Sequence, residues 1–584
     1  MAVNFSQFTS STTIAGTDQL VGYTNTSPGG ERRWSYTDLA NSISTTVTNN
    51  INTTITQSLT SPTGSYRIRK LADSIDTSYY VGAAITVDEE VIIWGNIDIY
   101  YTGHLGATST RTPLQAISIP FLTNPTANAP IENRNQILNL KKQGKTIVQL
   151  YQQRFITLVL LSDGTVWCRA YQDTANTYNT GWTTAELAGV TAKYPTGLYQ
   201  ITQWDWTNPA LANKIVDIQL AYVSQHGSYG ALDSAGDLHI WGHFNPKWGS
   251  SHDIKIPTNI TKGNPNLQGK IKDFQITGNN TARSVQIITT TGEIWGFGYN
   301  GYGQLGNNTV TASTGWVRAN YVTTPTGTTL IPVANASKLV RQRSRNYTNL
   351  GYISTTGSPS VTQNTLFISG YEHDTHSIKS TTTTTNVFVP GTNGASPVND
   401  SITQAVMNGY RAYPGLLYAT STGRVFSAGY HAWGELGRAG VTLGPSFQEV
   451  DVVNPMTGVK VKFGTTSGII AKQIIPGLAD NANANAIIAT MTTSPYGPTH
   501  NYVFLSGYRG YADLENLGVE SAFIFVPLAI KESVEEVLFG ADSADNHQYT
   551  FIRCTGGRVY GLGYSASGTF QQTDGYCLLP VPIF

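Results

Sequence analysis

Thr291-Gly-Glu-Ile-Trp-Gly-Phe-Gly-Tyr-Asn-Gly-Tyr-Gly-Gln-Leu-Gly306 reads as a tight Thr-Gly turn, a short strand with an aromatic at its end, and a glycine-studded loop. The phrase recurs in degraded form along most of the chain. Ser234-Ala-Gly-Asp-Leu-His-Ile-Trp-Gly242 is one copy, and Ser421-Thr-Gly-Arg-Val-Phe-Ser-Ala-Gly429 with Trp433-Gly-Glu-Leu-Gly437 is another. Further copies centre on Trp94, Trp167 and Tyr560, and fainter ones on Phe367 and Phe504. A unit of roughly fifty to sixty residues, repeated with insertions, means a solenoid or a propeller. Alternating apolar runs precede each copy, as at Lys214–Ala221 with Tyr229–Leu232 and at Lys270–Ile276 with Val285–Ile288. Each unit therefore offers three or four short strands, the content of a propeller blade.

Composition narrows the function. Only 12% of the 584 residues are charged, and Lys+Arg equals Asp+Glu at 36 each, so there is no basic footprint for a nucleic-acid backbone. Three cysteines, Cys168, Cys554 and Cys577, are too few and scattered for a disulfide framework or a zinc site. No apolar run reaches the ~18 residues of a membrane span, and the Met1-Ala-Val-Asn start lacks the basic and apolar regions of a secretory signal. No nucleic acid, membrane insertion or cofactor is expected.

The phrase from Gly292 to Gly306, and its second good copy from Gly423 to Gly437, resemble the hallmark of the regulator of chromosome condensation repeat. The resemblance spans about five hundred residues and implies an all-β fold. It implies a propeller of seven or eight four-stranded blades, staggered against the sequence repeats and closed by N- and C-terminal strands. On that reading Leu578–Phe584 shares a blade with residues from Tyr66 to Val87. Cys168-Arg-Ala lacks the glycine expected after Trp167, so that unit is expected to be irregular. Gly301, Gly303 and Gly306 are expected to allow positive φ and close approach where one blade hands over to the next. A phosphate cradle is excluded there, because no Lys-Ser/Thr and no helix follow.

Residues 1–38 read as a small module: a strand ending at Tyr23, a Ser27-Pro-Gly-Gly30 turn, a second strand at Arg32–Tyr36, and a Thr37-Asp38 cap for a helix beginning at Leu39. This segment resembles the N-termini of bacteriophage tail fibre proteins, which implies a virion-attachment module. Residues 39–65 carry an apolar ladder, Leu39, Ile43, Val47, Ile51, Ile55 and Leu59. On a helix, steps of four drift by ~40° each, whereas in an extended chain all six share one face. Either way one chain cannot bury the stripe alone, so a self-associating stem is expected, and Ile-rich seams favour three strands. Residues 66–584 form the propeller.

Candidate chemistry is sparse. Glu372-His-Asp-Thr-His376 groups metal-ligand types without a third distant ligand, and reads as a solvated loop. Asp88-Glu-Glu90 reads as a solvated turn, and His239, beside Trp241, as a packed histidine and not a base. No nucleophile-elbow phrase is present. The loops after the strand-ending aromatics carry Tyr100, Tyr101, Trp248, Tyr302 and Trp433, and an insertion adds Trp182, Trp204 and Trp206. Several rings on one rim suggest a platform for stacking on sugars or docking on an apolar protein patch. The resulting expectation is a non-enzymatic bacteriophage tail fibre or similar virion appendage. It would be homotrimeric, attached through its N-terminus to other tail or adaptor proteins, and would display the propeller to a host cell-surface glycan or protein. A glycan-degrading propeller enzyme and a capsid decoration protein are the alternatives. Neutral charge argues against a chromatin factor.

Overall fold

The computed structural model describes residues 19–23 and 31–35 and, from Tyr66 on, all of the chain except 76–80, 96–115, 123–136, 154–155, 171–196, 208–213, 224–225, 249–250, 279–281, 325–326, 343–348, 356–363, 371–384, 398–399, 409–414, 431–433, 440–442, 478–483, 508–523, 542–547, 566–574 and 584. The chain divides into two compact units, Met1–Tyr66 and Arg67–Phe584. In the first, Gln19–Tyr23 pairs antiparallel with Glu31–Ser35. The helix expected from Leu39 and the ladder Leu39, Ile43, Val47, Ile51, Ile55 and Leu59 lie outside the described residues.

The second unit is an eight-bladed β-propeller built mostly of four-stranded antiparallel sheets. The blades span 68–119, 147–200, 215–259, 271–318, 336–395, 402–449, 469–527 and 534–582, each with its strands paired in chain order. Successive blades touch largely through their first strands, and the eighth meets the first through Val534–Ala541 against Ile68–Leu71. Strands nearest the axis of a ring lie closest to their neighbours, so the first strand of each blade is innermost. The core sits between blades. One cluster of buried side chains runs from Leu158 and Ile218 to Phe274 and Phe297, and others join blades four to eight pairwise.

All of the expected signatures fall on the third strand of a blade, and there are as many blades as signatures. Their aromatics occupy two different places, however. The left-handed glycine that ends the strand is Gly298 (φ 104), Gly242 (φ 96) and Gly95 (φ 96) in blades four, three and one. Counted from that glycine, Trp241 and Trp94 match Phe297, and the position of Trp295 is held by His239 and Ile92. Side chains two apart share a face of a strand, so a motif aligned on its largest residue slips by two without changing face.

The closure expected from the termini is corrected. Gly575–Pro582 pairs only with Val559–Ser565 of its own blade, and Ile68–Leu71 only with Val81–Thr86. No blade is shared, and the blades run in phase with the repeats. Side chains close the ring instead. The Leu71 amide donates to Glu536 Oε2 at 2.7 Å. The buried Tyr549 hydroxyl meets both the N–H (3.0 Å) and the carbonyl (3.1 Å) of Val81. Trp94 packs edge-on against Phe551.

A recurrent backbone clasp joins four pairs of successive blades. The turn between second and third strands holds a left-handed glycine whose carbonyl accepts an amide from the start of the next blade's first strand. Ile215 donates to Gly164 (3.1 Å), Ile271 to Gly236 (2.9 Å), Ala336 to Gly292 (3.0 Å) and Ala471 to Gly423 (3.1 Å). In blade one this turn is Asp88-Glu89-Glu90, and Glu89 takes the left-handed place at φ 62. It is buried and not solvated as expected, and its Oε2 accepts Ile147 N–H at 2.7 Å and Arg69 at 2.7 Å. The carboxylate stands in for the glycine carbonyl of those four turns.

Candidate functional site

Four strands running alternately up and down put the first-to-second and third-to-outer connections on one face of a propeller, and the remaining connections on the other. The signature loop after Gly298 therefore leaves from the same face as its counterparts in the other blades. Its polar interior is fully occupied. Asn300 Oδ1 accepts from Leu305 N–H at 2.9 Å, and its Nδ2 donates to Asn307 Oδ1 and to the Thr309 carbonyl, both at 2.9 Å. Ser369 of blade five donates to the Gln304 carbonyl at 2.6 Å. Gly306, at φ 67, abuts the Phe388 ring so closely that a Cβ would overlap it, and its carbonyl accepts Asn320 N–H at 2.7 Å. The blade-six copy repeats the device: Asn485 donates to the Glu435 carbonyl, Asp451 N–H to the Gly437 carbonyl, and Gly437 abuts Phe525. The loop is a clasp between blades; of the three glycines expected to take positive φ, Gly303 (φ 72) and Gly306 (φ 67) do and Gly301 does not.

Within that clasp Tyr302 is half-buried, its ring 5.9 Å from Tyr299, and its amide donates to Gln304 Oε1. Trp248 ends the long third strand of blade three, opposite Ser251 at the tip of the outer hairpin. Tyr100, Tyr101, Trp182 and Trp433 lie outside the described residues, as does the Glu372–His376 cluster.

Trp204 and Trp206 sit apart from this face, in the connection from blade two to blade three, and stack on each other at 5.2 Å. Both rings meet His239 edge-on, at 5.5 and 5.0 Å. His239 is fully buried with Nε2 3.1 Å from Asp233 Oδ2, which is the packed histidine expected from sequence. The strap is pinned by Asp205 to Lys262 (2.6 Å) and by Thr207 to Asp237 (2.6 Å). Burial pushes the Asp237 carboxyl up, but hydrogen bonds from Thr207, the Gly269 amide, Thr261 and Asn259 together hold it below the ordinary carboxylate value.

Reactive groups are held inert. Burial raises the Cys168 thiol far above its usual range and pushes Cys554 up to about 12, and thiolates, not thiols, are nucleophiles. Burial also lowers the Arg283 guanidinium to about 10, where it bonds Ser228 Oγ and the His243 carbonyl between blades three and four. Among the described residues no group of three or more His, Cys, Asp or Glu side chains is placed to hold a metal ion, and no helix is long and apolar enough to cross a membrane.

Sequence reasoning missed one further cluster, Tyr496, His500 and Tyr502, on the opposite face in blade seven. Its signal was a turn of unusual length, Thr492-Thr-Ser-Pro-Tyr-Gly-Pro-Thr-His500, where most blades use four residues around a glycine or, in blade one, Glu89.

No protein-family model matches the chain, and no curated protein does. Solved structures similar to it are propellers. Human WBSCR16 is 13% identical, with a TM-score of 0.44 over 72% of this chain and 87% of that one. Prp20p from Saccharomyces cerevisiae is 12% identical, with a TM-score of 0.39 over 80% and 85%. The WD40 domain of SCAP from fission yeast is 9% identical, with a TM-score of 0.35 over 86% and 96%. The chain's own strand pairing makes it a β-propeller, and in fold it is similar to these structures. These matches correct the expected function. They are eukaryotic propellers and not virion components, and nothing matches the N-terminal segment as an attachment module. The tail-fibre role, virion location, tail, adaptor and host-surface partners, homotrimer, capsid-decoration role and glycan-degrading alternative are withdrawn.

Proposed function

We propose that this propeller is a non-catalytic interaction module. It meets a neutral protein partner across the face from which the third-to-outer connections leave, through Tyr100, Tyr101, Trp248, Tyr302 and Trp433. The observation that carries the reading is the internal satisfaction of the signature loop. With every polar arm of Asn300 engaged and Gly306 locked on Phe388, Tyr302 is presented on a rigid support. A rigid aromatic binds without the ordering cost of a mobile one. Low charge and equal numbers of acids and bases favour a partner met by hydrogen bonding and stacking, with little steering.

The test compares the full chain with the combined variant Trp248→Ala, Tyr302→Ala and Trp433→Ala. A partner recovered on the wild-type chain is purified and its affinity measured for both. The combined variant should bind at least about tenfold more weakly, with little dependence on salt. Equal affinity, or binding that collapses between low and moderate salt, would overturn the proposal.

A further inference from the structure

The place that Trp295 holds in blade four is taken by Trp167, His239, Phe367 and Phe504 in blades two, three, five and seven, and by Tyr560 in blade eight. In these five blades it pairs across to the outer strand at Gln200, Asn259, Pro390, Pro527 and Pro582 respectively. Two residues before that partner, the outer strand of blades two, three, five and seven offers a carbonyl to the connection arriving from the preceding blade. Leu122 N–H donates to Leu198 (2.9 Å), Asp205 to Pro257 (3.1 Å), Val322 to Phe388 (2.9 Å) and Val453 to Phe525 (2.8 Å). The connections are straps, each tied to the edge of the blade it enters.

Three straps run parallel to that edge, with Phe121 opposite Leu198, Tyr321 opposite Phe388 and Val452 opposite Phe525. Each of the four straps also covers the third-strand ring. Phe121 stands edge-on 5.4 Å from Trp167, Tyr321 5.4 Å from Phe367 and Phe463 5.6 Å from Phe504. Trp204 and Trp206 cover His239. All four covered residues are at most 3% exposed. An open strand edge and an uncovered ring are removed together, which is how a sheet edge is kept from pairing with another chain.

Blade eight has the same edge without a strap. The straps are drawn from the connections 120–146, 201–214, 319–335 and 450–468, whereas blade eight is entered through 528–533 alone. Leu528 N–H is spent on the Val503 carbonyl (3.0 Å) and Ile530 N–H on Leu528 (2.9 Å), and among the described residues no amide of this connection reaches strand Gly575–Pro582. Blade four turns its Trp316 indole back to the Ile260 carbonyl of its entry connection (2.9 Å), and blade six sets Arg424 5.0 Å over Phe426. Tyr560 is half-buried, and among the described residues no second ring or cation is stacked on it. Its rim is balanced in charge, because the Tyr560 hydroxyl donates to Glu532 Oε2 at 2.8 Å and Arg558 bonds the same carboxylate.

We infer that the edge of blade eight is a docking site for an extended, uncharged segment of a partner protein, which takes the place of a strap. The segment runs parallel to Gly575–Pro582, donates an amide to the Pro580 carbonyl and lays an aromatic or branched aliphatic side chain on Tyr560. The occupant is specified by the four straps of this same chain, which fill the equivalent place with Phe121, Trp204 and Trp206, Tyr321, and Val452 with Phe463. Pro580, like Pro257 of blade three, supplies a carbonyl and no amide. One main-chain bond and one covered ring are the elements by which sheet edges take up extended segments, the bond giving affinity and the side chain specificity. This edge is independent of the aromatic face and its tyrosine, Tyr302.

The probe is the strap of blade five as a blocked peptide, Ala-Asn-Tyr-Val-Thr-Thr, the sequence of residues 319–324. A second form carries a benzophenone side chain in place of Tyr321, and a third is N-methylated at Val322. With the full chain, binding should be saturable, and crosslinks should fall within residues 558–582. N-methylation removes only the donor to the edge carbonyl and should weaken binding by at least about fivefold. Tyr560→Ala should weaken it by about tenfold, Tyr560→Phe should stay within about threefold, and Tyr302→Ala should match the wild type. The N-methylated peptide leaves the protein untouched, so its result stands even if Tyr560→Ala fails to fold. No saturable binding, crosslinks centred on blade five or on the aromatic face, or equal binding of the N-methylated peptide would each overturn the assignment. Self-association of the chain that the peptide displaces would give the edge to a second copy and overturn the choice of partner.

Discussion

At Glu89 a charged residue has taken a place that glycine holds in the five other four-residue turns. The perturbation is Glu89→Ala. It removes the carboxylate that accepts Ile147 N–H at 2.7 Å and leaves a methyl group at φ 62. A hydrogen bond to a charged acceptor is worth about 1.5–3 kcal/mol net, and an orphaned buried amide costs about 1–3 kcal/mol, the two overlapping in part. The Arg69 contact adds little, since that side chain is a third exposed and its ion pair is screened. A loss of about 2–4 kcal/mol at the seam between blades one and two follows. Glu89→Gly suffers the same loss but recovers the left-handed penalty of about 1 kcal/mol. It should therefore be milder than Glu89→Ala, although it removes more atoms. Glu89→Gln keeps an acceptor without the charge and should cost about 1 kcal/mol.

Hydrogen exchange read by mass spectrometry on the peptide holding Ile147 reports this seam directly, because local opening sets the rate. Glu89→Ala should accelerate exchange by roughly thirtyfold or more, at 1.4 kcal/mol per decade. Unchanged protection in Glu89→Ala, or a glycine variant less protected than the alanine one, would refute the idea that the carboxylate replaces a turn carbonyl.

Tyr549→Phe removes the hydroxyl that meets Val81 N–H and carbonyl, and should cost about 1–2 kcal/mol and raise exchange at residues 81–86 in blade one; protection as in wild type would mean the ring closes by other contacts. Gly437→Ala forces a Cβ into the Phe525 ring at φ 67, so the apparent Tm should fall by several degrees, with blades six and seven loosening first in limited proteolysis. For Asp237 the folded-state pKa is lowered, so the unfolded chain takes up the proton first. The stabilisation is complete above the unfolded value near 3.8 and fades as pH falls through the lower folded value. Asp237→Asn should flatten that acid limb in urea titrations between about pH 5 and pH 2, and an unchanged limb would count against the carboxylate.

The glycine-and-aromatic phrase was enough to place a third strand in every blade: a left-handed glycine ends that strand in seven of them, and a four-residue turn precedes it in six. What it did not encode was register and closure. Trp241 and Phe297 occupy one place and His239 and Trp295 another, all on one face of the pleat, so hydrophobicity cannot separate them; the distance to Gly242 or Gly298 does. Closure depends on whether Gly575–Pro582 finds its partner in its own blade or across the seam, and both choices bury the same strand. The decision lies in single polar contacts, Tyr549 on Val81 and Glu536 on Leu71, between residues more than four hundred apart in sequence. Glu89 was misread for a related reason: three adjacent acids suggest solvent until the amide of Ile147 is placed beside them. The site follows the same logic. Tyr302 was legible as a loop aromatic, but the rigidity that gives it value comes from Asn300, Ser369 and Phe388, drawn from two blades. Tyr496 was overlooked because it follows no signature, yet its turn stands out once six of the other turns are seen to need only four residues. In a repeat protein the departures from the repeat are where function is to be sought, because the repeat itself is consumed in holding the ring together.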